Sequence, residues 1–79
     1  MPNPTTGKST LWLQLPQAAR VTFVVHDIQG RQIWASGVRD LGAGRWPLVW
    51  ESAGMRVGVY LARVQVEGQT WVRRIAVLR

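Results

Sequence analysis

The stretch Pro2-Asn3-Pro4-Thr5-Thr6-Gly7-Lys8-Ser9 leads directly into an alternating apolar run, with Leu11, Leu13 and Leu15 at every second position. Each proline fixes its own φ and restricts the residue before it to extended conformations, which excludes a helix here. Gly7 permits a left-handed corner ahead of the run. The stretch therefore predicts an extended entry followed by a β-strand with a side-chain period of two.

The chain has 79 residues and is expected to form a single domain, residues 1–79. It contains no cysteine, so neither a disulfide nor a thiolate metal site is available. Hydrophobic residues make up 47% of the sequence and include five tryptophans. Large rings at strand positions are expected mainly in the core, with exposure of some rings to a partner as the alternative.

The net charge of +6 comes from nine arginines and one lysine against four acids, and it is compatible with an acidic partner. The arginines are scattered and no nucleic-acid-binding motif accompanies them, so nucleic acid is not expected as a partner. No apolar stretch approaches the roughly 18 residues of a membrane span, so no transmembrane span is expected. No signal-peptide pattern is present either, although a larger exported parent could carry one upstream.

Alternating apolar positions predict strands at about 9–15, 20–26, 31–36, 45–51, 58–66 and 69–78. The second of these is apolar on both faces and is expected to be a central strand covered on both sides. Asp27-Ile28-Gln29-Gly30 fits a type I turn, residues 37–45 read as a long glycine-containing connection, and Glu67-Gly68 fits a two-residue hairpin loop. Pro47 places the fourth strand at an edge or a bulge.

Six to seven short strands with turn signals at this spacing predict an all-β fold, an immunoglobulin-like antiparallel β-sandwich. A small barrel is the alternative.

Motifs that carry chemistry are weak in this chain. Gly7-Lys8-Ser9-Thr10 is similar to the end of a phosphate-binding loop. The loop pattern requires a glycine five residues before Gly7, but that position is occupied by Pro2, and a strand is predicted to follow where the loop needs a helix. His26 and Asp27 are adjacent on a strand and therefore point to opposite faces. A lone histidine does not form the usual metal sites. The sequence therefore predicts no enzyme activity, no cofactor and no metal.

The closing stretch Arg73-Arg74-Ile75-Ala76-Val77-Leu78-Arg79 alternates cations with apolar residues. A terminal strand of this kind offers a backbone edge and side-chain pockets together, as strand-addition partners require. The alternative is a closing strand whose arginines are merely solvated.

The chain resembles the C-terminal sorting domains of type IX secretion (the Por secretion system), type A, over essentially its whole length. The likeness rests on five motifs in order: Pro2-Asn3-Pro4-Thr5-Thr6-Gly7, Val25-His26-Asp27-Ile28-Gln29-Gly30-Arg31, Leu41-Gly42-Ala43-Gly44 with Trp50, Gly58-Val59-Tyr60, and Arg74-Ile75-Ala76-Val77-Leu78-Arg79. The family usually has lysine where this chain ends in arginine, which changes the hydrogen-bond geometry, and often has an aromatic residue in place of His26.

The resemblance implies a non-catalytic address tag taken from the C-terminus of a larger secreted protein. Such a domain passes through the periplasm, is recognised by the type IX translocon, is handed to an outer-membrane shuttle barrel, and reaches the cell surface or the exterior. A sortase typically removes it and attaches the cargo to anionic lipopolysaccharide. The oligomeric state stays open, with a homodimer as one alternative.

The residues expected to serve translocon recognition are Gly58, Tyr60, Arg74, Ile75, Val77 and Arg79. The N-terminal motif is carried by Pro2, Asn3, Pro4 and Gly7, and the turn by Asp27, Gly30 and Arg31.

Two further hypotheses fit the sequence. One is an immunoglobulin-like structural or adhesion module, similar to the domain of flagellar hook-capping proteins that shares the Gly-x-Tyr motif and the closing strand. The other is a carbohydrate-binding module that uses exposed tryptophans.

Overall fold

A computed structural model describes residues 3–5 and 7–78, with side chains described from Gly7 onward. The described residues form seven strands and no helix: β1 (Asn3–Thr5), β2 (Lys8–Leu15), β3 (Ala19–Asp27), β4 (Gln32–Leu41), β5 (Gly44–Glu51), β6 (Gly58–Val66) and β7 (Gln69–Val77). The all-β prediction is therefore confirmed.

The strands form two sheets, a five-stranded sheet in the order β1-β7-β6-β3-β4 and a two-stranded sheet of β2 and β5. Strands β2 to β7 pair antiparallel with their neighbours, while the short β1 runs parallel to β7. This arrangement is consistent with the predicted immunoglobulin-like sandwich.

The core is made by the inward positions of the alternating strands. Strand β3 contributes Val21, Phe23 and Val25, each at most 2% exposed. The full set of buried apolar residues is Leu15, Val21, Phe23, Val25, Leu41, Leu48, Trp50, Tyr60, Ala62, Val64, Ile75 and Val77. Because a sheet side chain points to alternate faces, the period of two in the sequence assigns these positions to the interior.

The tryptophans differ in their environments. Trp50 is buried and lies against Tyr60, with ring centroids 5.3 Å apart. Trp34 is half-buried and meets Phe23 edge-on at 5.3 Å. Trp12, by contrast, is 58% exposed and Trp71 is 39% exposed. The expectation of a mainly buried set is thus wrong for these last two rings.

The prediction of a long connection over residues 37–45 is wrong. Strand β4 continues to Leu41, and only two residues separate it from β5. The register shifts between Thr22 and Val24, where Ser36 and Gly37 together face Phe23 and Gly37 takes a φ of +77°. The amide of Phe23 donates to Ser36 Oγ at 3.2 Å in place of a ladder bond. The glycines that predicted a connection are thus accommodated within the strand, Gly37 by a β-bulge.

Strand β3 is an interior strand, as predicted, but it is covered on one face only. Its outward residues Thr22, Val24 and His26 are half-exposed. Pro47 lies on β5, which has no described partner other than β2, and this confirms the edge position.

Candidate functional site

The terminal hairpin of β6 and β7 forms as predicted. Glu67 and Gly68 make the connection with φ values of 47° and 89°, the pair of positive φ angles of a type I′ turn. Strand β7 has β6 on one side along its whole length. On its other side β1 pairs only with Ile75, Ala76 and Val77. Residues 69–74 of β7 therefore lie at a sheet edge.

The predicted recognition residues of β7 divide between the two faces of the sheet. Ile75 and Val77 are 0% and 3% exposed and belong to the core. Arg74 is exposed on the opposite face, and Arg79 lies outside the described residues. Direct contact of a partner with Ile75 or Val77 stays a prediction, and the folded domain presents neither side chain.

On β6, Gly58 and Tyr60 lie opposite Val77 and Ile75. Tyr60 is buried, and its hydroxyl donates to the carbonyl of Arg56 at 2.8 Å. A Cβ placed on Gly58 would meet nothing within 4 Å. The structure therefore gives Tyr60 a packing role and leaves no steric demand for glycine at position 58.

The N-terminal motif lies along the last strand. Asn3 and Pro4 stand in β1, in register with Ile75 and Ala76, and Pro2 lies outside the described residues. Gly7 does not take a positive φ, so the left-handed corner that a glycine permits is not formed here. Its carbonyl instead accepts a hydrogen bond from the amide of Ser52 at 2.9 Å.

The turn after β3 is held by one carboxylate. The amide of Gly30 donates to the carbonyl of Asp27 at 3.0 Å, and Gly30 has a φ of +86°, which confirms the predicted turn. Asp27 also accepts from the amides of Gln29 and Arg31 and from Arg31 Nε, each at 2.9 Å. These hydrogen bonds lower the pKa of Asp27. The largest effect comes from the Arg31 amide, and the Arg31 guanidinium and the Gln29 amide add to it.

The outward face of the five-stranded sheet carries a patch that the sequence analysis missed. Paired residues share a face of a sheet, and the register aligns Val24, Arg63 and Val72 in one row across β3, β6 and β7. The next row aligns His26, Leu61 and Arg74. We call these six residues the basic–apolar face.

Exposed apolar side chains lie on this face and beside it. Val38 is 66% exposed, Val72 is 51% exposed and Val59 is 41% exposed. Neither Arg63 nor Arg74 pairs with an acid among the described residues, whereas Arg20, at the corner of the sheet, pairs with Asp40 at 3.1 Å. Both faces of β3 are apolar in sequence, a pattern that predicts coverage on both sides, whereas in the structure the outward face of β3 belongs to this patch.

Trp12 is exposed on the other side of the sandwich. The Arg45 guanidinium lies 4.4 Å from the centroid of its ring, a cation–π contact that occupies one face of the indole. That contact leaves at most one face of the ring for stacking on a sugar.

The described residues hold no group of three or more His, Cys, Asp or Glu side chains arranged for a metal. Lys8 begins a strand rather than a helix, so the Gly7-Lys8-Ser9 stretch lacks the helix N-terminus that binds phosphate. A helix able to cross a membrane is likewise not found in the described part of the chain.

The model of a family described as the secretion system C-terminal sorting domain matches residues 1–78. No curated protein matches the chain significantly.

Proposed function

The chain belongs to the family of secretion system C-terminal sorting domains, and from this membership we propose that its basic–apolar face is the surface by which the type IX export machinery recognises the domain. The family match confirms the resemblance drawn from the five sequence motifs. The family is one of targeting domains, so the function assigned to this chain is that of a sorting signal for an exported cargo.

The position of Arg74 is the observation that carries the proposal. Ile75 and Val77 fix β7 in the core, and the alternate residues Arg74 and Ala76 point to the opposite face. Arg74 therefore projects outward from a strand that is held in place, beside the apolar surface of Leu61. A receptor that binds here gains both apolar contact and charge.

Charge on this face favours an acidic receptor surface. Arg63 and Arg74 lie in neighbouring rows on β6 and β7, and Asp40, at the corner of the sheet, is paired with Arg20. Complementary charge accelerates association and fixes orientation more than it adds affinity. The apolar residues around the two arginines provide surface that a bound receptor would bury.

The remaining steps follow from the type of signal. The parent protein enters the periplasm with its own signal peptide, the translocon binds the folded domain, and the shuttle barrel carries it to the sortase. The sortase then releases the domain and joins the cargo to anionic lipopolysaccharide at the cell surface.

A cargo fusion tests the proposal. The double variant Arg63→Glu/Arg74→Glu should lower the exported fraction of the cargo several-fold and raise the periplasmic fraction. Arg39→Glu is the matched control, because Arg39 is exposed but lies opposite Val21 in register, on the other side of the sheet. Thermal unfolding of each purified domain checks that the fold persists.

Unchanged export of a folded double variant would reject the basic–apolar face as the recognition surface. Deletion of residues 75–79, the more obvious experiment, is less informative. It removes two core side chains, Ile75 and Val77, so loss of export would follow from unfolding alone.

A further inference from the structure

An apolar groove runs along the open side of the sandwich, where the two-stranded sheet fails to cover the five-stranded one. It has a volume of about 610 Å³. One wall is β2, from Leu11 to Leu15, and the other is the inward side of the β6–β7 hairpin, including Val64, Val66 and Trp71. Trp71 is 39% exposed because nothing described lies over it.

The backbone of β2 is exposed along this groove. The amide of Ser52 donates to Gly7 O, and residues 7 and 52 continue the register in which Ser9 faces Trp50 and Leu11 faces Leu48. In an antiparallel pair, hydrogen-bonded and non-bonded positions alternate. The odd residues of β2 therefore bond to β5, and Thr10, Trp12 and Gln14 direct their backbone N–H and C=O groups away from β5.

Residues 69–74 of β7 form a second open edge beside the same groove, whereas the remaining strand edges carry features that hinder strand addition. Pro47 lies on the outer edge of β5, at a position whose amide would otherwise point outward. Two register irregularities distort β4, and β1 covers the end of β7. Strand β2 has neither a proline nor a register irregularity over its eight residues. An open strand edge beside an apolar groove provides the two features that strand addition requires, free backbone hydrogen-bonding groups and a surface for alternate apolar side chains.

We propose that this groove accepts an extended segment of a partner protein, which pairs with β2 as a third strand of the small sheet. Seven-stranded immunoglobulin-like sandwiches commonly have three strands in the smaller sheet, and here that sheet has two. The proposal is independent of the basic–apolar face, which lies on the opposite side of the larger sheet.

The lining of the groove defines the chemistry of the segment. Alternate side chains must be apolar, since every second residue of an added strand faces Leu11, Leu13 and Val64. Arg73 lines the groove at the point along β7 beyond which Ile75 and Val77 are buried. Glu67, the one lining acid, already accepts a hydrogen bond from the Arg20 amide at 2.9 Å. A carboxylate near the Arg73 end of the added strand completes the match.

Defined peptides test the site on the full 79-residue chain. Two end-blocked octapeptides alternate valine and threonine, with glutamate at one terminus or the other. Amide hydrogen exchange at Thr10, Trp12 and Gln14 should slow at least tenfold with the peptide that brings glutamate to Arg73. Arg73→Glu should remove the preference, and the corresponding lysine peptide should restore binding to that variant.

Backbone pairing is tested separately from apolar contact. A peptide methylated at alternate amide nitrogens should lose the protection of the β2 amides. Gln14→Pro should also lose it, whereas Val49→Pro, on the outer edge of β5, should not. The methylated peptide keeps the test valid if Gln14→Pro fails to fold.

Two results would overturn the proposal. One is the absence of protection at any β2 amide at millimolar peptide. The other is protection of these amides in a peptide-free dimer, which would make a second copy of the chain the occupant of the groove.

Discussion

Tyr60 of β6 lies directly opposite Ile75 of β7, and the Tyr60 ring in turn contacts Trp50 of the small sheet at 5.3 Å. The Tyr60 side chain thus connects the β6–β7 hairpin to the opposite layer of the sandwich. Because Ile75 and Val77 also belong to the core, truncation of the last strand cannot separate its role in stability from its proposed role in recognition, and point substitutions are needed.

Ile75→Ala should destabilise the domain by about 2–5 kcal/mol, because the side chain is fully buried and its removal leaves a cavity. Ile75→Val should cost about 0.5–1.5 kcal/mol. Denaturant unfolding of the purified domain measures both. Equal and small effects would contradict the assignment of Ile75 to the core.

Asp27→Asn should lower the stability of the domain at neutral pH, because the neutral amide accepts more weakly from the Arg31 amide and guanidinium. The pKa of Asp27 is lowered on folding, so its contribution is fully present above the unfolded pKa of about 3.9. That contribution is lost as the pH falls through the folded value.

The measurement for Asp27 is the melting temperature of both proteins between pH 7 and pH 2. The difference between them should shrink as the pH falls. A difference that does not depend on pH would show that the carboxylate charge is not responsible.

Gly37→Ala should destabilise the domain by about 1–2 kcal/mol, since a residue with a Cβ is strained at a φ of +77°. Gly42→Ala is the matched control, because Gly42 does not have a positive φ and both sites leave a Cβ without neighbours within 4 Å. Similar melting temperatures for the two variants would argue against the bulge.

Trp50→Ala should cost about 3–5 kcal/mol, as expected for a large buried ring. Trp12→Ala should cost less than about 1 kcal/mol, because the ring is 58% exposed and its described ring partner is the Arg45 guanidinium. Chemical denaturation of the two variants compares them, and a reversed order would contradict the fold.

The sequence allowed most strands to be predicted because their alternation is unbroken. Tyr60, Ala62 and Val64 face inward as the pattern predicted, and the Glu67-Gly68 connection has the expected length. The predicted strand ends at residue 36 because three glycines follow in residues 37–45, whereas the structure carries β4 through Gly37 with a bulge that reverses the phase of its side chains. A period-two reading has no means of anticipating such a reversal.

The basic–apolar face and the parallel β1–β7 pair could not be predicted from the sequence, for a different reason. Which residues become neighbours across strands depends on the strand order and on the register. Arg63 and Val72 are nine positions apart and Val24 is far from both, yet the three form one row. Only the assembled sheet distinguishes an exposed apolar face from a covered one.

The parallel pairing of β1 with the end of β7 has a mechanical consequence. A pull that draws Asn3 and Val77 apart along the strands loads the pairs Asn3–Ile75, Pro4–Ala76 and Thr5–Val77 together, in shear, rather than one after another. When force is applied to the two ends of the domain, the final strand therefore separates from β1 only when all three paired positions break together.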